Sequence, residues 1–229
     1  GDYYENFQNE IAYSIFYERM NDISKEMNSP FESAYIYESG LGEENNNLEL
    51  FVRPIEGRYL ESIERIKKEY DRIQSYGFSK IEFDNLISGY KSSLEDMYNN
   101  KNSEETINKL NYLMGFINSE SIYISTEYYY NLSLSILEKI TLEDINVATK
   151  DWFNKTYRTI IVQEPESSVQ ILPDANEFIS ILDKQFLNTE KLEIKDWTKV
   201  PLLSKDIEQG GVIKQIYHES IDATELQLS

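Results

Sequence analysis

Apolar residues recur at steps of three and four along much of the first two thirds of the chain, a spacing typical of helices that bury one face. The first stretch predicts a helix over Tyr3–Glu26, which Ser29-Pro30 ends because proline disfavours helix in the residue before it. A second helix begins after Gly57, and Gly77 is predicted to end it as a left-handed cap. The same spacing predicts three further helices, near 79–97, 103–118 and 126–139.

Two helix beginnings carry the spacing of an N-terminal cap. Ser79 with Glu82 has the separation of a capping box, and Thr141 with Asp144 has the same separation before a shorter helix. That shorter helix is predicted to present four apolar residues on one face, Leu142, Ile145, Ala148 and Trp152.

Two segments alternate in polarity as strands do. Ser33–Ser39 places Tyr35 and Tyr37 on one face and Ile36 on the other, and Leu48–Arg53 follows after a polar loop. These segments predict a hairpin whose loop is too long for a tight turn.

The sequence changes character near residue 165. Tyr157–Gln163 is a β-rich run that predicts a further strand, and Asp174–Phe186 predicts one short amphipathic helix. Val212–Leu228 is predicted to be extended. The order of elements predicts an α+β fold, with an antiparallel-rich sheet, several helices packed on one of its faces, and a C-terminal linker with a terminal strand. Residues 1–165 are therefore interpreted as one domain, and residues 166–229 as a linker with a short helix and a strand.

Composition excludes several classes of partner and site. The chain has 229 residues, with 22 Lys and Arg against 41 Asp and Glu, so its formal net charge is −19. Such a surface repels phosphate, which argues against nucleic acid or an anionic membrane as partner. The absence of cysteine excludes disulfides, thiolate metal sites and cysteine nucleophiles. No transmembrane segment is predicted, and the chain, which begins with glycine, is interpreted as a piece of a longer protein.

The single histidine, His218, limits the chemistry available to the chain. It lies in His218–Asp222 (HESID), which resembles a zinc-peptidase motif with aspartate in place of the second histidine. Ligands four residues apart converge on zinc only on a helix, whereas the flanking residues favour extended chain. His218 is therefore predicted to be an exposed residue beside a strand.

No other pattern in the sequence predicts a self-sufficient catalytic site. There is no phosphate-binding glycine loop, calcium loop or glycine-flanked serine elbow. The eighteen tyrosines could form a platform for carbohydrate or peptide, although most have the spacing of core and interface residues. From its residues alone, the chain is interpreted as a binding or scaffolding unit.

Three local signatures, in this order, support a family resemblance. Ser29-Pro30-Phe31-x-x-Ala34 joins a helix to a strand, Gly77-Phe78-Ser79-x-x-Glu82 joins two long helices, and Ile140-Thr141-x-x-Asp144-Ile145 begins the last helix of the predicted domain. Together they resemble the second, non-catalytic domain of pitrilysin/insulinase-type zinc peptidases. Leu228-Ser229 is similar to the strand that begins the second half of the fused bacterial members, and the domain's usual N-terminal strand region is missing.

The resemblance implies a parent enzyme that is a zinc endopeptidase, built as two halves around a chamber. The family's inverted motif, His-x-x-Glu-His with a distal glutamate, binds the metal in the preceding domain. This chain has no such motif, so no catalytic residue, zinc ligand or other cofactor ligand carries over to it. The family also grips substrate with an arginine and a tyrosine. Arg19 is the candidate for that arginine, and the alternative is an arginine that satisfies helix carbonyls.

The expected partners are the catalytic domain of the same polypeptide and peptide substrates, and the expected location is the bacterial periplasm or cell envelope. Two alternatives stay open. The chain could belong to a non-catalytic homologue that acts as a scaffold in a larger complex, or it could be an unrelated helical domain that binds peptides or glycans through its tyrosines. An all-helical structure would favour the latter.

Overall fold

A computed structural model describes residues 2–40, 46–103, 105–118, 122–150, 152–153, 158–164, 171–187, 189–193 and 211–228. The chain divides into two compact units, residues 1–194 and 195–229. The elements of the first unit, in chain order, are α1 (Asp2–Ser24), β1 (Phe31–Gly40), β2 (Asn46–Pro54), α2 (Tyr59–Tyr76), α3 (Lys80–Asn100), α4 (Thr106–Asn118), α5 (Thr126–Leu137), α6 (Leu142–Ala148) and α7 (Ala175–Asp183).

Helix α1 forms the centre of the core in the first unit. Its apolar stripe is buried against β1, α3 and α6, and the buried side chains of this stripe are Phe7, Ile11, Ala12, Ile15, Phe16, Met20 and Ile23. Each fully buried large apolar side chain contributes about 1.5–3 kcal/mol relative to exposure, so this helix supplies a large part of the apolar burial. Trp152 packs its ring edge-on against Phe16, with the ring centroids 5.6 Å apart.

The β1–β2 hairpin is antiparallel, and its two faces are those predicted from the alternation. Ile36 pairs with Leu50 on the face that packs on α1, whereas Tyr35 pairs with Phe51 on the opposite face. The register is constant except for an irregularity between Phe31 and Ser33. The predicted polar loop between the strands falls largely on residues outside the described ones.

The first turn of α2 fixes the chain where α1 leads into β1. The Arg58 guanidinium donates to the backbone carbonyls of Asn28 and Ser29, at 3.2 and 2.9 Å. The Ser62 hydroxyl donates to the carbonyl of Pro30 at 2.8 Å, and the Ile55 amide donates to the same carbonyl at 2.8 Å. These bonds satisfy three carbonyls that belong to neither a helix nor a strand, and the carbonyl of the buried Pro30 needs such a partner most.

The predicted helix beginnings are confirmed at both capping boxes. Ser79 and Thr141 each accept from the backbone N–H three residues on, and Glu82 and Asp144 each accept from the cap residue's own N–H. A third capping box, at Asp174, begins α7. Helix α1 ends at Ser24 rather than at Glu26. Helix α6 ends at Ala148, so the buried Trp152 belongs to the segment that follows this helix and not to the helix itself.

Gly77 ends α2 as predicted, but its conformation is not the left-handed helical one. Its φ is +70° and its ψ is −175°, and its N–H donates to the carbonyl of Ile73. A Cβ at this position would lie 2.6 Å from the Asn146 amide nitrogen, and the Asn146 side-chain oxygen accepts from the Phe78 N–H at 2.7 Å. Only glycine combines this φ and ψ with so close an approach.

The predicted strand over Tyr157–Gln163 is wrong for its described part. Residues 158–164 form no strand, and Ile161 is 78% exposed. A β-prone sequence becomes a strand only when a neighbouring strand satisfies its backbone and covers one face. No such neighbour pairs with this segment among the described residues. Tyr157 itself, and Pro165 at the predicted domain boundary, lie outside the described residues.

The first unit extends beyond residue 165 because α7 and the segment after it pack on α2. Phe178 is buried, the Phe186 N–H donates to Asp71 at 2.8 Å, and the Tyr76 hydroxyl donates to the Thr189 carbonyl at 2.9 Å. The predicted division of roles between residues 1–165 and 166–229 stays a prediction.

The second unit, in its described part, is a hairpin rather than a single extended stretch. Strand β3 (Val212–His218) leads through a 3-10 turn (Glu219–Ile221) into β4 (Ala223–Leu228), which pairs with it antiparallel. Asp222, at φ +46°, is the non-glycine residue whose left-handed conformation reverses the chain. With seven described helices and two small antiparallel sheets, the fold is α+β as predicted.

Candidate functional site

Arg19 lies on the last turns of α1 and is buried, with only 4% of its side chain exposed. Its Nε donates to Glu82 Oε1 at 2.8 Å and its Nη2 donates to Oε2 at 2.7 Å, a two-pronged pairing that fixes both side chains. The guanidinium also lies over the Phe78 ring, 5.2 Å from its centroid. The pair therefore joins α1 to the beginning of α3.

The geometry around Arg19 bears on both interpretations made from the sequence. Nε and Nη2 of Arg19 donate to the Glu82 carboxylate and not to helix carbonyls. The alternative interpretation, an arginine that satisfies helix carbonyls, is therefore wrong for these two donors. Nη1 of Arg19 is buried and has no hydrogen-bond partner among the described residues. The substrate-gripping role stays a prediction.

Three aromatic side chains on the outer face of the β1–β2 hairpin, together with Tyr17 of α1, form a group that we call the aromatic face: Tyr17, Tyr35, Tyr37 and Phe51. Tyr35 is half-buried and the other three are exposed. The rings of Tyr35 and Phe51 stack with centroids 4.9 Å apart, and Tyr17 from α1 meets Tyr35 edge-on at 6.5 Å. Tyr17, Tyr37 and Phe51 are 45%, 37% and 40% exposed. Flat aromatic surfaces of this kind bind apolar and planar groups with little loss of side-chain entropy.

One side of the aromatic face is bordered by a carboxylate. The Tyr37 hydroxyl donates to Glu49 Oε2 at 2.5 Å, and the Ser39 hydroxyl donates to Glu49 Oε1. These two hydrogen bonds lower the pKa of Glu49, and the bond to Glu49 raises the pKa of Tyr37. The aromatic face therefore has an ionised carboxylate at its border at neutral pH.

The strand edges next to the aromatic face offer backbone groups. Within the described part of the chain, β1 pairs with β2 and with no other strand. An antiparallel pair leaves alternate N–H and C=O groups of each strand pointing away from its partner. An extended peptide could pair with such an edge while its side chains contact the aromatic rings.

The hairpin is anchored to α1 through Glu38. Tyr13 donates to Glu38 Oε1 at 2.6 Å, and Asn9 donates to the same oxygen at 3.3 Å. Burial and this hydrogen bond, together with the charge of Glu38, raise the pKa of Tyr13. The tyrosine therefore stays neutral and keeps donating throughout the ordinary pH range.

The described residues do not fit a zinc site. His218 lies at the end of β3, half exposed, with Nε2 3.0 Å from Glu225 Oε2, which confirms its predicted place beside a strand. No group of three or more His, Cys, Asp or Glu side chains within the described ranges could hold a metal ion. In the same part of the chain, no helix has the length and apolarity needed to cross a membrane.

Sequence reasoning located part of this site. The alternation placed Tyr35 and Tyr37 together on one face, whereas Phe51 and Tyr17 join them only through the strand register and the packing of α1. A β-strand pattern gives the two faces of one strand, but it gives neither the partner residue nor the helix beside it.

Comparison of the structure with solved structures shows which fold this is. The periplasmic protease PqqL from Escherichia coli matches with a TM-score of 0.67 and 14% identity, over 98% of this chain and 25% of that one. A predicted insulinase family protease from Yersinia pestis matches with a TM-score of 0.64 and 13% identity, over 78% and 38%. The ferredoxin protease FusC, in complex with Arabidopsis ferredoxin, matches with a TM-score of 0.63 and 16% identity, over 100% and 26%.

This chain spans about a quarter to two fifths of the length of these proteases. No model of a known protein family matches the sequence, and no curated protein matches it either. The structural matches nevertheless agree with one another and cover most or all of the chain. The protein therefore has the fold found in one part of the insulinase/pitrilysin-type proteases, as its local signatures indicated.

Proposed function

We propose that this chain is a non-catalytic domain of a zinc-dependent endopeptidase, that it forms part of the substrate chamber and that it binds extended peptides. The observation that carries the proposal is the structural match, over 98% of the chain, to a protease about four times as long. A domain that is one part of such an enzyme has neighbours on the same polypeptide. We place the catalytic domain among them.

The histidine content of the sequence supports the proposal that catalysis belongs to another domain. The inverted zinc motif needs two histidines, and this chain has one. We therefore assign the metal and the residue that activates water to another part of the polypeptide, and binding and shape to this chain. No step of the hydrolysis is assigned to its residues.

The aromatic face and the adjoining strand edge support the peptide-binding role. Backbone pairing with a strand edge recognises any extended peptide, and the side chains that contact Tyr37 and Phe51 provide selectivity. The chain's charge of −19 raises the local concentration of cationic peptides through long-range attraction, which salt screens. Basic and unstructured peptides are therefore the preferred class of substrate.

The location proposed for the protein is the bacterial periplasm or cell envelope. It is supported by the match to PqqL, which is a periplasmic protease.

A specific experiment tests peptide binding. We expect Phe51→Ser to weaken the binding of a fluorescent, extended, cationic peptide about tenfold, because truncating a central aromatic contact costs about 1–2 kcal/mol. Tyr128→Ser is the control, since Tyr128 is also an exposed aromatic residue (58%) but lies on α5. Fluorescence anisotropy at ionic strengths of about 0.02 to 0.3 M measures both the affinity and its salt dependence. If both variants bind the peptide with equal affinity, the aromatic face is not the binding site. If the affinity does not depend on salt, long-range attraction does not contribute to binding.

A second experiment tests the catalytic part of the proposal. We expect stoichiometric zinc and casein hydrolysis in the full-length polypeptide, and neither in these 229 residues alone. Proteolysis by the isolated chain would overturn the assignment of the chemistry to another domain.

The second candidate is a non-catalytic homologue that serves as a scaffold in a larger complex, and the same fold supports it. The preceding sequence distinguishes the two. An inverted histidine motif with a downstream glutamate favours the peptidase, and its absence favours the scaffold. The unrelated all-helical protein, the third alternative, is inconsistent with the two hairpins and with the structural matches.

A further inference from the structure

Helix α4 carries several large apolar side chains that are exposed. Residues 106–118 contain no Asp or Glu and a single charged residue, Lys109, in a chain that carries 41 acidic residues. From Glu105 to Ile117, each side chain is exposed apart from Phe116, which is half-buried. Exposed apolar residues grouped on one helix usually mark a surface that protein or lipid covers.

The exposed apolar residues of α4 follow the spacing of a helix–helix contact. Ile107, Leu110, Met114 and Ile117 are separated by three, four and three residues, which is the a and d spacing of a coiled coil over two heptads. They are 54%, 51%, 45% and 68% exposed. We call these four side chains the α4 seam. The seam presents a continuous apolar ridge to whatever covers it.

Charge and size narrow the choice of what covers the seam. The seam has no acidic group beside it on α4 to attract a cationic partner and only Lys109 to attract an anionic one, so an apolar surface suits it best. A 13-residue helix is about 20 Å long, which is short of the roughly 30 Å of a membrane core. A second copy would bring together two chains of charge −19 across a contact only about three helical turns long.

We propose that the α4 seam is an interdomain contact, covered in helix-on-helix packing by a part of the same polypeptide that lies outside these 229 residues. The length of the matched proteases supports this occupant, since this chain covers only 25–38% of them. A covering segment on the same polypeptide has a high effective concentration, so even a short apolar seam is occupied. The inference rests on the proposed function, because it requires a longer polypeptide.

The chain has no cysteine, so a single introduced thiol reports directly on the accessibility of the seam. Met114→Cys places the thiol in the seam. Asn108→Cys is the matched control on the same helix, roughly 140° round the axis from the centre of the seam. The rate of maleimide labelling is measured for both variants in the 229-residue chain and in the full-length polypeptide, with any cysteines of the remainder replaced. Circular dichroism confirms that each variant is folded.

We expect the thiol at position 114 to label at least tenfold more slowly in the full-length polypeptide than in the 229-residue chain, while the control labels at the same rate in both. Equally fast labelling at 114 in both proteins overturns the proposal. So does concentration-dependent protection in the 229-residue chain with a dimer in light scattering, which would make a second copy the occupant. Protection only in the presence of zwitterionic lipid vesicles also overturns it. The full-length polypeptide could bind zinc and hydrolyse casein while the thiol at position 114 still labels fast. That result would refute this inference without contradicting the proposed function.

Discussion

The buried pair between Arg19 and Glu82 leads to a quantitative prediction about stability. Arg19→Met keeps most of the side-chain volume but leaves the Glu82 carboxylate without its two-pronged partner, in a site where that side chain is only 13% exposed. Removing one partner of a buried ion pair costs about 3–5 kcal/mol. Glu82 keeps its bond from the Ser79 N–H at 2.7 Å and some access to water, so we expect the lower end, about 3 kcal/mol.

Urea unfolding followed by circular dichroism measures this loss in the free energy of unfolding. For a chain of this size, about 3 kcal/mol corresponds to a fall in Tm of about 6–12 °C. Arg19→Met combined with Glu82→Gln removes the stranded charge and keeps an amide that can still cap α3. We therefore expect the double variant to lose less than the sum of the two single variants, by about 2–3 kcal/mol.

The control for this series is an exposed pair of the same kind. Lys80 and Asp84 lie 2.6 Å apart with their side chains 77% and 51% exposed, and Lys80→Met should cost less than about 0.5 kcal/mol. Our reasoning is refuted if Arg19→Met costs no more than this control. A loss of peptide affinity without a loss of stability would instead identify Arg19 as a substrate-binding residue.

Three further substitutions test the fold around the site. Gly77→Ala should cost about 2–3 kcal/mol, because it forces a positive φ on alanine and drives its Cβ into the Asn146 side chain; a loss below 1 kcal/mol in thermal unfolding would contradict this. Ser79→Ala should cost about 1 kcal/mol in the same assay, since it removes one half of a capping box, and an unchanged Tm would count against that role. The raised pKa of Tyr13 means that the folded state holds this proton more tightly than the unfolded one, so the stability it provides is full below about pH 10 and is lost as the pH rises through the folded-state pKa. Tyr13→Phe loses the bond to Glu38, so it should be less stable than the wild type at pH 8. It should also lose less stability than the wild type between pH 10 and 11, as measured by urea unfolding at each pH. An equal loss of unfolding free energy in both proteins over this range would refute the reasoning.

Local patterns in the sequence predicted the elements that local chemistry determines. The capping box at Ser79 and the alternation around Ile36 depend on residues within a few positions of one another, and both are confirmed. The strand expected over Tyr157–Gln163 required a neighbouring strand, which a local pattern cannot supply.

The candidate site was harder to predict because its contacts join distant parts of the chain. Arg19 and Glu82 are 63 positions apart, and Tyr35 meets Phe51 only through the strand register. The sequence singled out Arg19 through a family resemblance, without any sign of its partner. The exposed seam on α4 was likewise hidden, since its spacing is equally typical of a core helix.

In the bonds between the start of α2 and the turn after α1, one partner is a side chain and the other is backbone, and this difference affects which positions can be substituted. Their acceptors are main-chain carbonyls at positions 28, 29 and 30, which any amino acid provides, whereas Arg58 and Ser62 are the donor side chains. These bonds therefore require a particular backbone path at positions 28 to 30 and place no requirement on the side chains there, whereas the Ser29 hydroxyl is held by its own hydrogen bonds with the Phe31 backbone. Replacement at 58 or 62 should be rare and should be accompanied by a compensating donor nearby.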